Sequence, residues 1–97
     1  MMLQVIKDAI DAREELAFNY SGIARVAQPV AVGRSSAGND ILRCYQTEGG
    51  HVTAGHAWDL CQISLMSNVH GTGKTFPVNP PGYKRGDRHM NPIYTEI

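Results

Sequence analysis

A chain of 97 residues with nine lysines and arginines against nine aspartates and glutamates carries no net charge at neutral pH. That balance excludes a bulk electrostatic pull toward nucleic acid or anionic membrane and confines any polyanion site to a local patch. The length makes one domain with a modest core, burying roughly 60–65% of its unfolded surface.

Apolar content of 42% argues against general disorder. Two cysteines, Cys44 and Cys61, are too few for a disulfide framework. At the start of the chain, Asp8 and Asp11 interrupt any apolar leader, and no run approaches membrane-spanning length. The expectation is a cytoplasmic protein with both cysteines reduced and no membrane partner.

From Met2 to about Glu15 the pattern is helical: Leu3, Ile6 and Ile10, with Met2, Val5 and Ala9 beside them, recur at three- and four-residue steps. No glycine closes this helix, so the chain is expected to pass straight into a strand. Leu16, Phe18 and Tyr20 alternate with Ala17 and Asn19 at strand period. Ser21-Gly22 supplies a turn, and Ala24 to Val32 follows as a second strand. Pro29 cannot donate to a ladder and places that strand at an edge or at a bulge. After the polar turn of residues 35–40, Ile41 to Thr47 reads as a third strand, ended by Gly49-Gly50.

His51 to Gly55 is ambiguous. Trp58 to Met66 reads as a strand and a short turn, and Asn68 to Phe76 as a fifth strand interrupted near Gly71 and Gly73. Short strands at such intervals indicate a small antiparallel barrel or a strongly curled sheet. Beyond Phe76, the prolines at 77, 80, 81 and 92 forbid a long helix or a central strand. Residues 77–97 are therefore expected to form an extended Pro-rich arm, anchored by Tyr83, Met90, Ile93 and Tyr94 on the barrel or on a neighbouring subunit.

Several of these features occur together in one known family. Ala9-Ile10 leads to Leu16-Ala17-Phe18-Asn19-Tyr20; Gly22, Arg25 and Pro29 follow; then come Ile41-Leu42-Arg43-Cys44-Tyr45 and Trp58-Asp59-Leu60-Cys61-Gln62-Ile63. In order and spacing, residues 5–76 resemble the WYL domain family. The namesake Trp-Tyr-Leu triplet is replaced by Asp40-Ile41-Leu42, and the strand from Trp58 lacks two arginines usual there. The resemblance implies an α+β fold, an N-terminal helix followed by a small Sm-like five-stranded antiparallel barrel over residues 1–76. It also implies a regulatory, ligand-sensing role, since members act as effector domains of transcription regulators and some sense nucleic acid. A chain of this size is expected to be a stand-alone sensor, or a sponge for a nucleotide signal.

Two sets of side chains suit an anionic, nucleotide-like ligand or single-stranded nucleic acid. The first is Tyr20, Arg25, Arg43, Tyr45, His56 and Trp58, because guanidinium groups pair with phosphate and flat rings stack on bases. Arg43 and Tyr45 share a face of their strand. The second is the basic cluster Lys84, Arg85, Arg88 and His89, the one local cationic excess.

Gly71-Thr72-Gly73-Lys74-Thr75 resembles the end of a phosphate-binding P-loop, but Asn68 stands where the first glycine is needed, and a hairpin turn is expected instead. Cys44, His51, His56 and Cys61 lack metal-ligand spacing, and no cysteine–histidine or carboxylate pair is placed for catalysis. The expectation is a non-enzymatic module without metal or cofactor, either ligand-binding or an interaction module. Its small size favours a homo-oligomer.

Overall fold

The computed structural model describes residues 2–49 and 57–97. One helix, α1 (Met2–Ala12), precedes an antiparallel sheet of six strands: β1 (Glu14–Tyr20), β2 (Ile23–Arg34), β3 (Asp40–Gly49), β4 (Trp58–Gln62), β5 (Met66–Thr75) and β6 (Ile93–Glu96). The small α+β character expected from periodicity is present. The helix stops earlier than its periodicity suggests because Arg13 takes a left-handed conformation, φ 52°, and its amide bonds back to the Ile10 carbonyl at 3.1 Å. Ile6, Ala9 and Ile10 are buried against the sheet, while Val5 is left at the edge of the stripe, 37% exposed. Full burial of each isoleucine contributes about 1.5–3 kcal/mol.

The sheet runs β4-β3-β2-β1-β5, with β6 added to β2, and is not closed into a barrel. This corrects the five-stranded barrel on two points. A 3-10 turn, Ile63–Leu65, carries the chain from β4 to β5 at the opposite end of the path. A sixth strand also comes from the Pro-rich segment.

Ser21 and Gly22 both have positive φ, 50° and 83°, and join β1 to β2 in a two-residue turn of the hairpin type. On one side β2 pairs with β1 through Ile23–Ala27 and then with β6 through Ala31–Gly33; on the other it pairs with β3 along its length. Pro29 falls between the β1 and β6 pairings. The β2–β3 register shifts between Pro29 and Ala31, so the proline sits at a bulge in a central strand.

The two sheet faces carry separate cores. Toward α1, Leu16, Phe18, Val32, Leu42, Cys44 and Cys61 pack with Ile6 and Ile10. On the opposite face Val30, Ala31, Ile41 and Met90 form a second cluster, flanked by Trp58, Tyr83, Ile93 and Ile97. The C-terminal segment is thus the third layer of the molecule, and it returns along residues 77–97 to cover a sheet face. No described helix is long and apolar enough to cross a membrane.

Candidate functional site

Alternation along β3 and β4 decides which candidates meet. Arg43 pairs with Leu60 and Tyr45 with Trp58, so these four side chains share the face covered by the C-terminal segment. Tyr45 and Trp58 stack edge to face, with ring centroids 5.2 Å apart. The Trp58 indole donates to the Pro81 carbonyl at 2.9 Å, which ties the start of the C-terminal segment to β4. Just beyond, the segment turns at Gly82 and Gly86, whose φ values of 81° and 79° lie in the left-handed region.

Between that segment and the sheet lies an open groove of about 530 Å³, lined by Arg43, Trp58 and residues 82–89. It brings together two sets that are separate in the sequence: Arg43 and Trp58 from the strands, and Lys84, Arg85, Arg88 and His89 from the basic cluster. Its volume falls within the usual range for small-molecule sites.

Asp87 is the one carboxylate in this lining, and its oxygens are already engaged. Oδ2 accepts from Arg43 Nε at 2.8 Å and Oδ1 from the His89 amide at 2.9 Å. Although partial burial opposes ionisation, the Arg43 and His89 hydrogen bonds hold the Asp87 carboxyl below its ordinary range. Arg43 uses only its Nε–H on this partner; neither terminal amino group has a hydrogen-bond partner among the described residues. Arg85 is turned the other way, to Glu96 at 3.2 Å and the Ile97 main-chain oxygen at 3.3 Å. Tyr83 donates to that same oxygen at 2.8 Å, and burial pushes its hydroxyl pKa up. Lys84, Arg88 and His89 are exposed, and their side chains have no ion pair or hydrogen bond among the described residues.

Tyr20 and Arg25 do not join this groove. Arg25 lies opposite Phe18 on the α1 face, where its guanidinium covers the Tyr20 ring at 5.1 Å and pairs with Asp59 at 3.3 Å. The Tyr20 hydroxyl accepts from the Gln62 amide at 3.0 Å, and Arg25 Nε is buried without a hydrogen-bond partner. Both side chains are held in the wall of the helix-side core. His56 lies outside the described residues.

On the same face Cys44 and Cys61 are both buried in the helix-side core. The neighbouring Cys61 thiol and full burial push Cys44 well above the ordinary thiol range. His51 and His56, the other members of the four-residue metal candidate, lie outside the described residues. Among those described, no cluster of three or more histidine, cysteine or carboxylate side chains could hold a metal.

The P-loop-like string Gly71 to Thr75 belongs to β5 rather than to a hairpin turn. Extra residues there bulge the strand against β1, and Glu14 accepts the Gly73 amide at 2.8 Å. The sequence did not single out Tyr83 and Asp87 as site residues; the only signal was their place beside Pro80-Pro81-Gly82 and among the cations. No protein-family model, curated protein or solved structure matches this chain.

Proposed function

We propose that this chain is a non-catalytic binding module whose groove takes an anionic, nucleotide-like ligand. Arg43, Lys84, Arg88 and His89 meet the charge, and the Trp58 ring meets the base. The observation that carries this reading is the convergence of Arg43, Lys84 and Arg88 on one groove whose only carboxylate among the described residues is already bonded. Arg43 is suited to the part because Asp87 fixes its plane while its two amino groups remain available for bidentate pairing with phosphate. The WYL resemblance of residues 5–76 agrees with a sensor of this type.

Trp58 is the single tryptophan and lines the groove, so its fluorescence reports occupancy directly. Titration with adenosine monophosphate is expected to change that fluorescence saturably. Arg43→Ala is expected to weaken binding by about 1.5–3 kcal/mol, roughly ten- to hundredfold. Calorimetry showing no heat with any nucleotide, or an affinity indifferent to Arg43→Ala, would end this assignment.

One observation favours a second reading, an assembly module. Among the described residues β4 and β5 each pair on one side only, and Leu60 and Leu65 near them are 38% and 49% exposed. Sedimentation velocity separates the readings: a monomer at micromolar concentration removes the assembly role.

A further inference from the structure

The groove continues past Arg88 and His89. Beyond them lies a second depression of about 720 Å³, bounded by Arg34, the 35–39 turn, Ile41, Leu60 and Gln62. Arg88 and His89 line both depressions, forming a cationic ridge between them. Among the described residues the second depression has no carboxylate in its lining, and Arg34 stands on its wall.

Each depression also has an apolar surface: Trp58 and Tyr83 in the first, Ile41 and Leu60 in the second. Trp58 and Leu60 project from one face of β4, two residues or about 6.5–7 Å apart. Two compartments with apolar walls, separated by a cationic ridge, match a ligand with two flat bodies joined by a negative charge.

We infer that the groove takes two nucleosides joined by a phosphodiester, one in each depression, with the bridging phosphate on the Arg88–His89 ridge. The inference rests on the nucleotide-like reading above and narrows its ligand class. A mononucleotide fills only the Trp58 side. The linked pair adds apolar contact with Leu60, and Arg34 meets any terminal phosphate on that side. Aromatic stacking beside guanidinium contacts is the general chemistry by which proteins hold single-stranded nucleotides.

The test is calorimetry and Trp58 fluorescence on the full chain with three probes: adenosine monophosphate, a 5′-phosphorylated linear diadenylate and a ten-nucleotide single strand of deoxyadenylate. The diadenylate is expected to bind at least about fivefold tighter than the monophosphate, from burying the second base against Leu60. Arg34→Ala, at an exposed position, is expected to weaken the diadenylate about tenfold and leave the monophosphate unchanged, whereas Arg88→Ala weakens both. Equal affinity for the two small probes, or diadenylate binding untouched by Arg34→Ala, overturns the two-compartment ligand while the single-nucleotide reading stands. Absence of binding by every probe overturns both. The ten-nucleotide strand separates the sources: tighter binding than the diadenylate indicates a single strand, and equal binding indicates a free dinucleotide.

Discussion

Arg43 and Asp87 sit forty-four residues apart and meet through one hydrogen bond of 2.8 Å, with the aspartate also holding the His89 amide. The pair acts as a clasp that orients the guanidinium and pins the basic loop to the sheet. Asp87→Ala leaves Arg43, three-quarters buried, without its acceptor. The expected loss is about 1–3 kcal/mol in urea unfolding, and an unchanged midpoint would show that the clasp does not contribute. The pH response follows from the lowered carboxyl pKa. A group depressed in the folded state contributes fully above its unfolded value, about 3.9. That contribution is lost as pH falls through the lower folded value. The clasp therefore stays closed across neutral and mildly acidic pH and opens only in strong acid.

At the level of elements, β6 depends on a glycine. A Cβ at Gly33 would lie 2.5 Å from the Pro92 carbonyl oxygen and 3.0 Å from the Ile93 Cα, both backbone atoms that cannot swing aside. Gly33→Ala is expected to push β6 off β2 at a cost of about 1–3 kcal/mol. Hydrogen exchange would locate the damage, since the Arg34 and Ile97 amides bond to Pro92 and Val30 across this seam. Unchanged protection of both would refute the tight approach.

This strand was hidden in the sequence because it is four residues long, follows Pro92 and has partners sixty residues away. Strands β1 to β3 were legible because their alternation is long and bounded by turn residues. Grouping Arg43 with Tyr45 and Trp58 was legible for the same reason. The separation of Tyr20 and Arg25 from them was not: β2 shifts register against β3 at Val26/Ala27 and again at Pro29/Ala31, which breaks any simple count of faces. Nor does local pattern reveal that Lys84–His89 folds over Arg43, since that depends on the whole course of the chain between them.

For the molecule as a whole, the C-terminal segment is both the cover of a sheet face and one wall of the groove. Removing residues 77–97 would strip Tyr83, Met90, Ile93 and Ile97 from the second cluster and bare Val30, Ala31 and Ile41, now at most 4% exposed. Such a truncation is expected to remove the proposed nucleotide site and to self-associate or unfold, because a chain this small has little stability in reserve. Size-exclusion chromatography with circular dichroism checks this: a folded, monomeric 1–76 fragment would contradict it.

Neighbouring residues of β3 and β4 answer to different constraints. Leu42, Cys44 and Cys61 face α1 and hold the fold, while Arg43, Tyr45, Trp58 and Leu60 project from the opposite face, where Arg43 and Trp58 line the groove. Substitution at every second position therefore leaves the helix-side core untouched, although Arg43 and Trp58 also tie the C-terminal segment to the sheet. A combinatorial library confined to Tyr45 and Leu60, the two of these positions with no hydrogen bond to the C-terminal segment among the described residues, should return a high fraction of folded variants, so that this short hairpin is a natural starting scaffold for engineered recognition.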